Sequence, residues 1–118
     1  MRVLVVNAGS SSLKLGVVDE AGEVVAAREL AAPRSRLEPD AVAAAVDGLG
    51  AFDAVGHRIV HGGERFTAPV RVDDGVVAAL RELADLAPLH QAKSLAALDA
   101  VSRAAPGVPA VACFDTAF

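Results

Sequence analysis

Residues 3–18 read VLVVNAGSSSLKLGVV, and the apolar pattern of this stretch changes partway along it. Val3-Leu4-Val5-Val6 is a continuous, β-branched-rich run, the pattern of a strand covered on both faces. Asn7-Ala8-Gly9 and the serines 10–12 interrupt it with small and turn-forming residues. Leu13, Leu15 and Val17 then alternate, with Gly16 between, which predicts a second strand. Asp19-Glu20-Ala21-Gly22 is polar and turn-like, and Val24–Leu30 is a third strand candidate. Three strands joined by short turns make an antiparallel meander.

Working outward, the pattern becomes helical. Ala41, Val42, Ala45, Val46 and Leu49 recur at helix spacing. Pro39 suits the first turn, and Gly48 or Gly50 suits the stop. Residues 52–63, FDAVGHRIVHGG, read as a strand ending in a glycine pair. Asp74 suits an N-cap for the helical set Val76, Val77, Leu80 and Leu83. Pro88 marks a boundary. Leu95, Leu98 and Val101 then give one face of a further helix, closed by Pro106-Gly107. Residues 108–114, VPAVACF, form a last apolar strand with Asp115 at its C-terminal end. The order β-β-β-α-β-α-α-β places a meander before strand–helix crossovers, which imply parallel pairing in one mixed α/β sheet. No repeat, linker or low-complexity segment interrupts residues 1–118. An apolar central strand is an odd last element for a domain, so the chain is expected to be a piece of something longer.

Composition narrows the function classes. The chain has 118 residues, is 53% hydrophobic and 22% charged, and carries a net charge of −4, which describes a globular domain with a real core. It has four Phe and neither Trp nor Tyr, which argues against base stacking and a nucleic-acid partner. Cys113 is the single cysteine, so no disulfide forms within the chain, as suits the cytoplasm. In VPAVACFD that thiol reads as a small buried hydrophobe rather than a nucleophile. The N-terminus has no signal-peptide pattern, and no apolar run approaches the ~20 residues of a membrane span.

Four places could carry chemistry. NAGSSS followed by Lys14 is either a hairpin turn or a phosphate grip. It is no Walker loop, because Lys14 follows Leu13 and strand alternation resumes at once. Any phosphate contact would use backbone N–H groups, serine hydroxyls and the Lys14 ammonium. His57 and His61 have helical metal-ligand spacing, but Ile59, Val60 and Gly62-Gly63 make the segment a strand. There, positions i and i+4 lie about 13 Å apart, too far to share a metal. On that strand Arg58 and Val60 share the other face, where a guanidinium beside a branched apolar group could hold a short carboxylate. The plainer fate of Arg58 is a surface salt bridge. His90, in LAPLHQ, reads as a loop residue before a helix, either a surface or capping histidine or a donor to developing charge. Asp115 is an Asx-type cap or a ligand-facing carboxylate beyond a strand end.

Together VLVVNAGSSSLKL, GHRIVHGGERF, LAPLH and VPAVACFDTAF resemble the successive motifs of acetate kinases and the wider acetokinase family, in order and spacing, from Arg2 to Phe118. The resemblance implies the N-terminal ribonuclease-H-like domain of a two-domain kinase, its mixed sheet flanked by helices and its active site in the cleft between domains. It implies ATP + acetate ⇌ ADP + acetyl phosphate, with magnesium, in a cytoplasmic homodimer. It also implies that the C-terminal nucleotide-binding domain is absent here and that the 118 residues alone are inactive.

By position, the resemblance places Asn7 near the transferring phosphoryl group and beside magnesium, whose glutamate ligand belongs to the absent domain. Ser10, Ser12 and Lys14 match positions affecting ATP and magnesium use. Arg58 matches the arginine that binds the acetate carboxylate, and Val60 and Leu89 match the lining of its methyl pocket. His90 matches a histidine on the transferring phosphoryl group, and Asp115 an essential carboxylate acting as base or positioning group. Two departures are visible: LAPLH continues as QAKS where the family has NP, and the segment before GHRIVHGG is short. A propionate or butyrate kinase of the same family, or a non-catalytic module, are the alternatives.

Overall fold

The computed structural model describes residues 1–8, 12–31, 37–59, 70–84 and 88–114. Strands β1 (Val3–Ala8) and β2 (Ser12–Val18) pair antiparallel, with Val6 opposite Leu15 and Asn7 opposite Lys14. Strand β3 (Val24–Ala31) adds antiparallel to β2. The turn between them is held by Asp19, whose Oδ1 accepts from the Ala21 and Glu23 N–H groups at 2.9 and 3.0 Å. Gly22 takes φ +81° there, a left-handed conformation that glycine adopts without a Cβ clash. The meander expected from alternation is present.

Helix α1 (Pro39–Gly48) starts with Pro39 in its first turn and ends before Gly50, whose φ is +84°. Strand β4 (Ala54–Ile59) follows, then β5 (Val70–Arg71), α2 (Asp74–Ala84), α3 (Pro88–Ala104) and β6 (Ala110–Phe114). The sheet order is β3-β2-β1-β4-β6-β5, with β1, β4 and β6 mutually parallel and β5 antiparallel to β6. This is the mixed α/β sheet that the element order predicts, in the ribonuclease-H-like arrangement that the family resemblance implies.

Four details differ from the reading of the sequence. The two-residue β5 is too short to leave a periodic signal. The cap of α2 is Asp73, not Asp74: Asp73 Oδ1 accepts from the Val76 N–H at 2.8 Å. His90 lies inside α3 rather than in a loop, because Pro88 opens the helix at its first position. Finally, β1 is covered on one face only among the described residues. Leu4 and Val6 are buried while Val5 is 40% exposed.

The covered face explains why the helices sit where they do. Leu4, Val6, Leu13, Leu15, Val17 and Val55 pack beneath Val42 and Val46 of α1, Leu49 just past its end, and Ala97 and Val101 of α3. A second group joins Ala79 and Leu80 of α2, Leu95 and Leu98 of α3, and Ala112 of β6. Val6, His57 and Ala112 are register partners, so α1, α2 and α3 all press on one side of the sheet. Leu4 is fully buried at its centre. Leu4→Ala is expected to cost about 2–5 kcal/mol through lost transfer energy and a residual cavity, read as a lower urea midpoint by circular dichroism.

Candidate active site

Asn7 is the fifth residue of β1 and Arg58 the fifth of β4. The parallel register sets them side by side, and the antiparallel register sets Lys14 on the other flank of Asn7. Register partners share a face, so Lys14, Asn7 and Arg58 form one row across β2, β1 and β4. At ~4.8 Å per strand the row spans roughly 10 Å. Asn7 is half-buried, and Lys14 and Arg58 are exposed. Ser12, half-buried at the start of β2 and two residues before Lys14, lies on the same face. Two cations flanking a carboxamide make a seat for an anion.

The next row shows why the polar residues face outward. Leu15, Val6, His57 and Ala112 are each one residue displaced from that row and are all buried under the helices. A period of two therefore divides each strand into a core set and a site set. His57 illustrates the division: its backbone adjoins Arg58, yet its imidazole is in the core. Burial removes water from the charged form, so the His57 pKa falls from 6.5 to about 4. The strand reading holds over Ala54–Ile59, while His61 lies outside the described residues, and His57 is a neutral core residue.

Helix α3 completes what is described of the site. It leads into β6, which is parallel to β4, and it packs on β1 and β4. It therefore runs against those strands, and its first residues, including Leu89 and His90, lie at the sheet edge where β1 and β4 end. Asn7 and Arg58 are at that same edge. Ligands of open α/β sheets bind beyond the carboxyl ends of the strands. Ser10, Val60 and Asp115 lie outside the described residues, and Leu89 and His90 are placed by backbone alone. Among the described residues, no three His, Cys, Asp or Glu side chains converge as a metal site, and no helix is long and apolar enough to cross a membrane.

A cavity of about 550 Å³ among the described residues lies elsewhere. Val55, Asp73, Asp74, Pro109 and Ala110 line it, at the N-terminal ends of β4 and β6. Its charged lining is mixed, with Asp73, Asp74 and Asp99 beside Arg71 and Arg81, and none of Lys14, Asn7 and Arg58 lines it.

A sequence model described as the acetokinase family matches residues 37–118. This chain belongs to the acetokinase family. An acetate kinase of an Arthrobacter species is 41% identical over 138 aligned positions, covering all of this chain and 36% of its own length. The acetate kinase of Thermotoga maritima is 39% identical over 150 positions, with 37% of its length covered. Among solved structures, Porphyromonas gingivalis acetate kinase superposes with a TM-score of 0.80 at 31% identity, over 99% of this chain and 38% of that one. A propionate kinase from Francisella tularensis gives a TM-score of 0.82 at 24% identity over 98% of this chain and 37% of that one, a likeness of fold alone. The chain thus spans little more than a third of these relatives and corresponds to their N-terminal portion.

Motif spacing singled out Asn7, Lys14 and Arg58. Their shared row was not in the sequence reading, because register between strands far apart in sequence has no local signal. For His57, the folded pKa lies below the unfolded one. The neutral form therefore stabilises the fold above pH 6.5, and that stability is lost as pH falls from 6.5 through about 4. We expect the loss to reach at most about 3 kcal/mol. His57→Gln should flatten this part of the pH–stability curve, measured by urea denaturation at successive pH values.

Proposed function

We propose that this chain supplies the acetate-binding and phosphoryl-facing half of a kinase that transfers the ATP γ-phosphoryl group to acetate, giving acetyl phosphate and ADP. The observation that carries the reading is the Lys14–Asn7–Arg58 row at the carboxyl ends of β1 and β4, in a chain whose relatives are acetate kinases.

Phosphoryl transfer to a carboxylate brings two anions together. Two unit charges 4 Å apart repel by roughly 4 kcal/mol at an effective dielectric near 20. Arg58 offsets this, its guanidinium forking to the carboxylate while facing equatorial phosphoryl oxygens. Asn7 and His90 donate to those oxygens, on which charge accumulates in the in-line transition state. Ser10, Ser12 and Lys14 hold the phosphate chain. Val60 and Leu89 enclose the acetate methyl, and Asp115 acts as base or positioning group. Magnesium, when bound, neutralises charge on the phosphates. The Asn7 carboxamide oxygen is a hard ligand that fits it, and the remaining ligands would be phosphates, waters and a glutamate outside this chain. The rest of the proposed assembly is a nucleotide-binding domain beyond residues 1–118 and a cytoplasmic homodimer.

In the polypeptide at the length of its relatives, Arg58→Ala should lower kcat by orders of magnitude in a hydroxamate assay for acetyl phosphate. Near wild-type turnover would refute the role of Arg58. A second reading within the same family is a longer-chain carboxylate as acceptor. A pocket wall discriminates only ~1–3 kcal/mol per methylene. Rates should therefore fall in the order acetate, propionate, butyrate, and the reverse order would select the second reading.

A further inference from the structure

The polar row does not stop at Lys14. The antiparallel register of β2 with β3 sets Glu29 opposite Lys14, on the same face. From the edge strand inward the row reads Glu29, Lys14, Asn7, Arg58. Glu29 and Lys14 are both exposed, and with Ala27 they line a shallow cavity of about 250 Å³. A carboxylate at the end of an anion seat needs a reason, because it repels what the seat would hold.

The neighbours of Lys14 supply one. On this face Ser12 and Gly16 lie before and behind it on β2. Opposite those two on β3 stand Ala31 and Ala27. None of the four can steer a long cationic side chain by charge. Asn7 and Glu29 flank Lys14, and Glu29 is the charged one. Arg28 does not compete for that carboxylate. It shares the helix face with Leu15, and its Nη2 lies 3.8 Å from where a Cβ on Gly48 would stand, at the end of α1. Directly opposed cross-strand residues have Cβ atoms about 5 Å apart, within reach of a lysine–glutamate pair.

Distance decides between attraction and repulsion. Strands lie ~4.8 Å apart, so Glu29 stands one spacing from Lys14 and two spacings, roughly 10 Å, from Asn7. That longer distance is about one Debye length, so repulsion of an anion at Asn7 is largely screened. The pull on Lys14 across a single spacing is not. An exposed lysine left to itself samples many rotamers, and ordering it when a ligand arrives lowers affinity.

We propose that Glu29 is a positioning residue whose carboxylate holds the Lys14 ammonium on the site face, oriented before the phosphate chain of ATP arrives. The ammonium has three donors, so one rests on Glu29 while the others stay available to phosphate oxygens. Glu29 acts through Lys14 and does not touch the ligand. This rests on the role given to Lys14 in the proposed reaction.

The test is ATP binding without acetate, by isothermal titration calorimetry, in the polypeptide at its relatives' length. Glu29→Gln should raise the Kd for ATP at least about threefold through lost preorganisation. Removal of a repelling charge alone would lower that Kd, so the sign separates the two effects. Glu29→Asp keeps the carboxylate and should stay within about twofold of the unaltered protein. In a Lys14→Met background, Glu29→Gln should change the Kd by less than about 1.5-fold, because the pair it breaks is already gone. An unchanged or lower Kd for Glu29→Gln overturns the proposal, and so does an equal rise without Lys14. A protein that binds no ATP overturns both this role and the proposed reaction. One that shows the expected Kd series yet makes no acetyl phosphate refutes the reaction alone.

Discussion

The parallel pairing of β1 with β4 is the constraint on which the rest depends. Arg2 and Asp53 set its start: the Arg2 N–H donates to Asp53 Oδ2 and the Asp53 N–H donates to the Arg2 carbonyl, each at 2.8 Å. From that clamp the ladder runs to Val6 beside His57 and Asn7 beside Arg58. A slip of one residue would turn β4 over relative to its helices. Arg58 would then enter the core beneath α3, and His57 would face solvent. Burying a guanidinium costs far more than exposing an imidazole, so the fold itself enforces the register that assembles the site.

The same alternation separates the chain's electrostatics. The protein is acidic, with 15 Asp and Glu against 11 Lys and Arg, yet the described part of the candidate site presents Lys14 and Arg58. Cations gathered on one sheet face can hold an anion even when net charge repels it at long range, because contact energies fall off within a Debye length of ~8–10 Å. Beneath them His57 is held neutral by burial, so the core carries no charge next to Arg58. An exposed ion pair, Arg81 with Asp99 at 2.9 Å, joins α2 to α3 and contributes little by comparison.

Much of the fold was legible because period-two and helical spacing are local. Leu13, Leu15 and Val17 located β2, Pro39 located the start of α1, and Asp19–Gly22 located the turn between β2 and β3. Where the reading missed, a local rule met a competing one. Pro88 looked like a break, but proline also opens helices, so His90 sits inside α3. Asp73 and Asp74 are both fair caps, and only backbone geometry selects Asp73. Strand β5 has two residues and leaves no pattern.

By itself the sequence determined which residues are apolar, where turns fall, and that NAGSSSLK, GHRIVHGGE and LAPLH follow one another in acetokinase order. Tertiary structure decided what those local patterns cannot encode: that Lys14, Asn7 and Arg58 stand in one row, that His57 turns inward beside an outward Arg58, and that all three helices choose the same face. The physical reason is that strand pairing couples residues some fifty positions apart through backbone hydrogen bonds common to every residue type. The choice among registers is made only when the apolar set of every strand is buried at once.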